Sequence, residues 1–204
     1  MLQFQTFIGG IFDTNGYLIR TSGGNILIDA PTGTSDWIRD LGVRLDLLVL
    51  THGHPDHFDD AAKLKALCKC QVAFHKDSVP LITNPDFFKN MGLFFEPEPV
   101  QPDFLIEETA KIDLCGMPFR VLLVPGHCPG SLCFYSADHQ ILFAGDVLFA
   151  GSIGRTDFPG GDHQLLLRGI REKIFSLPNN TTVLSGHGPQ TTIGEERENN
   201  PFLQ

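Results

Sequence analysis

The sequence predicts an α/β (α+β) fold, and three observations carry that prediction. Short β-branched and aromatic stretches recur between turn signals, amphipathic segments with capping residues interrupt them, and metal-binding residue types crowd into a turn directly after an apolar run. Strands, helix, strands, helix in this arrangement fit two mixed sheets with helices outside.

From Leu2 to Ile28, the stretches Asp13-Thr14-Asn15-Gly16 and Ser22-Gly23-Gly24-Asn25 read as turns with strands between them. Tyr17-Leu18-Ile19 is predicted to pair with Ile26-Leu27-Ile28 across the second turn, and Asp29 ends the latter strand. Ser35 to Leu41 reads as a short helix. Leu47-Leu48-Val49-Leu50 reads as a buried strand. Asp59 to Leu67 is a second helix with acidic residues at its start, where the helix dipole favours them. Cys68-Lys69-Cys70 precedes the strand Gln71-Val72-Ala73-Phe74, and its two thiols read as core residues rather than ligands. The segment 84–104 is rich in proline and phenylalanine. It suits either a loop whose rings plug the core or an apolar lid over a pocket.

Strands return at Ala110 to Leu114, Phe119 to Val124, Leu132 to Tyr135 and Gln140 to Phe143. Asp162 to Leu177 is an amphipathic helix with Asp162 as N-cap and Leu166, Ile170 and Ile174 on one face. A last strand, Thr182-Val183-Leu184, leads into His187, and Thr192-Ile193-Gly194-Glu195 is a capping box.

The turn Thr51-His52-Gly53-His54-Pro55-Asp56-His57 is the centre of the chain's chemistry. Gly53 and Pro55 occupy little room and permit a tight path, so several imidazoles project into one place. Neutral imidazole plus carboxylate is a usual ligand set for zinc or iron.

The 204 residues suffice for a sizeable core and are expected to form one domain, 1–204. A net charge of -9, with 15 Lys plus Arg, disfavours a nucleic-acid partner, because phosphate binding needs a basic face. The N-terminus lacks the basic and apolar regions of a signal peptide, and no later run approaches a membrane span. Five cysteines, an odd number, suit a reducing compartment. A cytoplasmic location without membrane contact is therefore the expectation.

The His-x-His-x-Asp-His turn, with His127 in Pro125-Gly126-His127-Cys128-Pro129-Gly130, Asp146 in Ala144-Gly145-Asp146-Val147 and His187 in Ser185-Gly186-His187-Gly188-Pro189, resembles the metallo-β-lactamase-fold hydrolases. The resemblance runs from about Asn15 to the C-terminus and implies the αβ/βα sandwich. It implies that His52, His54 and His127 hold one metal, that Asp56, His57 and His187 hold a second, and that Asp146 bridges them. A hydroxide between two such dications is a nucleophile at neutral pH, so hydrolysis is implied, with Asp56 both a ligand and a catalytic proton relay. Zinc is the first expectation for the two divalent ions, with iron and manganese compatible. Two positions depart from the family pattern. Ala30 is inserted between Asp29 and Pro31, so the backbone below the metals is expected to differ slightly. Cys128 stands where Thr is common, and a packing role is expected for it.

The segment Gly151-Ser152-Ile153-Gly154-Arg155-Thr156-Asp157-Phe158-Pro159-Gly160-Gly161-Asp162 is similar to the short glyoxalase II-like hydrolases, which split thioesters such as S-lactoylglutathione. The chain stops at Gln204, before the helical domain with which full-length members grip glutathione, so thioester chemistry is implied more strongly than glutathione specificity. Arg155 is a candidate substrate-binding residue, as a clamp for a substrate carboxylate or as an anchor paired with Asp157 or Asp162. The principal alternative is a mononuclear-iron persulfide dioxygenase, which shares the Gly-Arg-Thr-Asp-Phe segment. A lactonase, a β-lactamase or a non-catalytic metal-binding module is more distant. No ligand is lost, which favours an enzyme.

Overall fold

The computed structural model describes residues 2–84, 86–90 and 96–204. Strands β1 (Phe4–Gly9), β2 (Thr14–Arg20) and β3 (Asn25–Ile28) form an antiparallel meander, with Tyr17 opposite Ile28 and Ile19 opposite Ile26 as the turn residues predict. Helix α1 (Thr34–Leu41) carries the chain to β4 (Leu47–Val49), parallel to β3. Helices α2 (Pro55–Phe58) and α3 (Ala61–Cys68) lead to β5 (Gln71–Phe74), parallel to β4. The short helices α4 (Val79–Thr83) and α5 (Phe87–Asn90) precede the edge strand β6 (Phe104–Leu105). The first sheet thus runs β1-β2-β3-β4-β5-β6.

The second sheet begins with the antiparallel strands β7 (Thr109–Leu114), β8 (Met117–Leu123), β9 (Leu132–Ser136) and β10 (Ile141–Gly145). A two-stranded ribbon, β11 (Leu148–Phe149) and β12 (Ser152–Ile153), and helix α6 (His163–Gly169) return the chain, so that β13 (Thr182–Ser185) lies parallel to β10. Strand β14 (Thr191–Thr192) and helix α7 (Ile193–Asn199) complete it, in the order β14-β13-β10-β9-β8-β7.

Two-residue alternation explains the layers. Leu18, Leu27, Leu48 and Val72 face Ile38 of α1 and Leu64 of α3. Their neighbours Tyr17, Ile19, Ile28 and Val49 turn the other way and meet Phe119, Phe134 and Phe143 of the second sheet. The rings there pack edge-on, Tyr17 to Phe143 at 5.4 Å between centroids. On the far face of the second sheet Leu122, Leu142 and Val183 cover Leu166, Ile170 and Ile174. The result is a sandwich of helices, sheet, sheet and helices, the predicted αβ/βα architecture. Among the described residues, no helix is long and apolar enough to cross a membrane.

Two helices differ from their sequence-based bounds. The helix predicted from Asp59 begins at Ala61 as α3, after the separate short helix α2 of the histidine turn, because Asp60 serves another helix. Its Oδ2 accepts hydrogen bonds from the Gly33 and Ser35 backbone N–H groups and from Ser35 Oγ, each at 2.9 Å, and Lys63 Nζ donates to Oδ1 at 2.7 Å. The segment after Asp162 is α-helical only to Gly169 and continues as a π-helical turn, Ile170–Ile174. Asp162 caps it as predicted, accepting from Leu165 N.

Burial alone would raise the Asp60 pKa, but its bonds to Lys63 and Ser35 hold it below the ordinary value. Its contribution to stability is therefore present above the unfolded-state carboxylate value and is lost as pH falls through the depressed folded value. Asp60→Ala is expected to cost about 2 kcal/mol at neutral pH, since it orphans several partly buried donors at once, and the loss should shrink in acid. Denaturant midpoints of the two proteins at neutral and acid pH measure it.

Candidate metal centre

Each turn that carries a predicted ligand leaves the C-terminal end of a strand. Those strands are β4, β8, β10 and β13, and the two sheets are joined at this edge by Leu132 N donating to Thr51 O at 2.8 Å. All seven residues come together there. Ligand-type atoms of His52, His54 and His127 lie within 4.8 Å of one another, as do those of Asp56, His57 and His187. Asp146 stands between the sets, with Oδ1 3.3 Å from His57 Nε2 and Oδ2 3.4 Å from His187 Nε2 and 3.5 Å from His127 Nε2.

The hydrogen bonds around the histidines determine which nitrogen each one offers. A carbonyl oxygen only accepts, so His127 Nδ1–H must donate to Arg155 O at 2.7 Å, and His187 Nδ1–H to Phe12 O at 2.9 Å. His57 Nδ1–H donates to Asp29 Oδ2 at 2.8 Å. Thr51 spends its hydroxyl proton on the same Asp29 oxygen, so it accepts from His52 Nδ1–H at 3.0 Å. Four imidazoles therefore carry their Nδ1 proton outward and turn Nε2 inward, whereas His54 presents Nδ1, 3.1 Å from His52 Nε2.

This arrangement fits a bound cation. The Nε2 lone pairs of His52 and His127 point at one another across 3.3 Å, a repulsive contact that a shared positive charge turns into attraction. His57 Nε2 and Asp146 Oδ1 are buried, and neither has a hydrogen-bond partner. Buried polar atoms without partners are costly, and a metal ion satisfies both. Burial holds the pKa values of His52, His54 and His127 down, His54 to about 3, so these rings are neutral at pH 7, as ligands must be. Burial acts the same way on His57 and His187, but the carboxylates overrule it. Asp146, Asp56 and Asp29 drive His57 well above the ordinary value, and Asp146 and Asp56 raise His187 to about 10. The two carboxylates stay ionised despite burial, Asp56 at about 2 under the influence of His57 and His187, and Asp146 well below the ordinary range for the same reason. Negative charge at the second triad thus selects for a cation.

Several supporting residues were not legible as such. Asp29, read from the sequence only as a strand end, accepts from Thr51 N, Thr51 Oγ1 and His57 Nδ1 while its own backbone adopts φ +61°. Asp tolerates that conformation better than most residues. The inserted Ala30 is buried and ties the ligand turn in place: its N–H donates to His57 O at 2.8 Å, and its carbonyl accepts from Asp60 N at 3.0 Å. Thr14 Oγ1 donates to Asp56 Oδ2 at 2.9 Å. Asn15 Nδ2 donates to Ser185 O and Gly188 O, both at 3.0 Å, and so clasps the His187 loop. Cys128 is fully buried in the first-sheet core, and burial pushes its thiol up to about 12, consistent with packing.

Among the histidines outside the metal centre is His75. It is buried because its Nδ1 accepts from Asp77 N and so caps the short turn Lys76–Ser78. His139 pairs with Ser136 Oγ, and His163 is exposed.

The centre opens into a cleft of about 460 Å³. His54, Asp56, His127, Asp146 and His187 lie at its base, and the walls are largely apolar: Phe12, Phe149 and Ile153, then Leu81, Phe87 and Phe88, then Phe158 and Pro159. Both readings of the phenylalanine-rich segment apply to its described part. Phe87 and Phe88 line the cleft, and Phe88 also packs in the core against Phe58 at 6.4 Å. Phe94, Phe95 and Pro85 lie outside the described residues. Arg155 reaches the rim, where Nε and Nη2 donate to Asp157 Oδ1 and Oδ2 at 2.7 and 2.6 Å.

Known proteins support the same assignment. Residues 9–187 match the family model described as the metallo-beta-lactamase superfamily. Hydroxyacylglutathione hydrolase GloC of Haemophilus influenzae is 36% identical over 198 residues, which cover 94% of this chain and 93% of that protein. Among solved structures, BLEG-1 B3 metallo-beta-lactamase superposes with a TM-score of 0.90 at 35% identity, covering 98% of this chain and 99% of that one. TTHA1623 in a di-iron-bound form superposes with a TM-score of 0.87 at 36% identity, covering 98% and 100%. Fold, ligand geometry and these likenesses agree: the chain belongs to the metallo-beta-lactamase superfamily of metal-binding hydrolases.

Proposed function

We propose that this chain is a thioester hydrolase with a dinuclear metal centre, acting on small acyl thioesters. The observation that carries the reading is the meeting of two three-residue ligand sets at Asp146, on the floor of an otherwise apolar cleft. The full-length likeness to a hydroxyacylglutathione hydrolase supports the choice of thioester over other carbonyl substrates. Zinc suits the nitrogen-rich first set, and the di-iron relative supports iron as the other candidate. A net charge of -9 agrees with a small-molecule substrate rather than a nucleic acid.

His52, His54 and His127 would hold one ion, Asp56, His57 and His187 the other, and Asp146 would contact both. Bound there, divalent metals supply Lewis-acid charge for the carbonyl oxygen and lower the pKa of water. The residues of the chain do the rest. Thr14 and His187 hold Asp56 Oδ2, so its carboxylate is aimed and ionised where it can accept a proton from an attacking water. Asp29, buried and bonded to both His57 and Thr51, keeps two ligands in the required tautomer. Phe12, Phe149 and Phe158 exclude bulk water from the thioester.

Asp56→Asn is therefore expected to lower kcat by about a hundredfold or more even in protein reloaded with metal, because the amide no longer takes up a proton. Release of free thiol from an acyl thioester, followed with a thiol reagent alongside oxygen uptake, tests the proposal. Thiol release that chelation abolishes and metal restores is the expected result. Oxygen consumption without thioester cleavage would instead mark an oxygenase and overturn it.

A further inference from the structure

The Arg155–Asp157 pair at the mouth of the cleft suggests which thioesters the site takes. We infer that Asp157 is a specificity-determining residue: by occupying the guanidinium fork of Arg155, it makes the cleft select thioesters with an apolar acyl group on an uncharged thiol, and disfavour carboxylate-bearing thiol carriers. The inference rests on the thioester reading above and narrows its substrate class.

Asp157 meets the guanidinium through two parallel hydrogen bonds, from Nε and Nη2, which is the geometry a substrate carboxylate would itself adopt. The cation is also held from another direction, lying 4.1 Å above the Phe158 ring, which in turn packs edge-on against His54 at 5.6 Å. The Arg155 carbonyl is fixed by the bond from His127 Nδ1, so the base of the side chain does not swing toward a ligand elsewhere in the cleft. Asp157 is only two residues away, so it competes at an effective concentration that a free ligand at cellular levels does not approach. Among the described residues lining the cleft, Arg155 is the one Lys or Arg side chain. With that charge answered internally, the remaining wall surface offers apolar contact, from Leu81, Phe87, Phe149 and Ile153.

Specificity of this kind works by making the wrong ligand displace something. An anionic carrier must break the Asp157 pair before it gains its own. An uncharged carrier leaves the pair intact and buries its acyl chain directly. The two side chains are 58% and 64% exposed, so altering them perturbs the fold little.

The test uses two unreactive thioethers, S-hexyl-N-acetylcysteamine, which is uncharged, and S-hexylglutathione, which carries carboxylates, titrated calorimetrically into metal-loaded protein. The wild type is expected to bind the uncharged ligand more tightly, by about tenfold. Asp157→Asn should tighten S-hexylglutathione by about tenfold and leave the uncharged ligand unchanged. Asp157→Glu should restore the wild-type preference, and Asp157→Asn combined with Arg155→Met should abolish the gain. The inference is overturned if Asp157→Asn shifts both ligands alike or neither, or if the wild type prefers the glutathione ligand. Hydrolysis of the matching S-hexanoyl thioesters is measured in parallel. Failure to turn over either, with the binding preference intact, would remove the proposed reaction and leave the selectivity of the cleft standing.

Discussion

Asp146→Ala is expected to deplete both halves of the metal centre together and to reduce thioester turnover by about a thousandfold or more. The carboxylate lies within 3.5 Å of His57, His127 and His187, and so touches members of both ligand sets. Its loss removes one ligand and half of the negative charge that Asp56 and Asp146 bring to the site. Two nearby dications repel, and a bridging carboxylate is what makes their proximity tolerable. Elemental analysis after exhaustive dialysis gives the readout, with near-ultraviolet circular dichroism to show that the fold is retained. A folded Asp146→Ala protein that keeps the wild-type metal content would exclude a bridging role. His187→Ala separates the sets, since it should lower occupancy of the second while sparing the His52, His54 and His127 triad.

Gly186→Ala is expected to be nearly as damaging, although Gly186 carries no chemistry. A methyl group at this position would overlap Asp146 Oδ1 and come within 2.6 Å of His57 Cε1. The backbone has no freedom to retreat. Gly186 N donates to Gly145 O at 2.8 Å, Asn15 N donates to Gly186 O at 2.7 Å, and Tyr17 Oη and Asn15 Nδ2 both donate to Ser185 O next door. Asp146 and His57 must therefore move, which should weaken metal affinity by about a hundredfold and cost about 2 kcal/mol of stability. Gly188→Ala is the control. It has open space around it but φ +72°, so it should cost about 1 kcal/mol of backbone strain with metal affinity unchanged. Equal metal affinity in Gly186→Ala and wild type would show that the ligand shell adapts more than this packing allows.

The candidate ligands were legible because metal binding demands particular side chains, and because four of them sit in one turn after an apolar strand. The meander of β1 to β3 was legible for a similar local reason: turn residues bracket alternating apolar positions, and the observed register pairs Leu18 with Leu27. Helix bounds were less so. Asp60 falls in the first turn of the predicted helix, yet its carboxylate is drawn away by Gly33 and Ser35, more than twenty residues earlier. No local pattern announces such a bond.

By itself, then, the sequence determined which side chains could hold a metal: the seven ligand-type residues, their order, and the αβ/βα sandwich that their motifs imply. Side-chain type and short-range periodicity are properties of neighbouring residues, and they survive in the linear text. Tertiary structure alone decided how those side chains are presented. It set Asp29 against His57, the Phe12 carbonyl against His187 and the Arg155 carbonyl against His127, and so chose which imidazole nitrogen faces inward. It also left Gly186 no room for a methyl group and closed the Arg155 fork on Asp157 rather than Asp162. These outcomes depend on hydrogen bonds and steric limits, most of them between residues far apart in the chain, and such contacts exist only once the two sheets have packed and brought their strand ends to one edge.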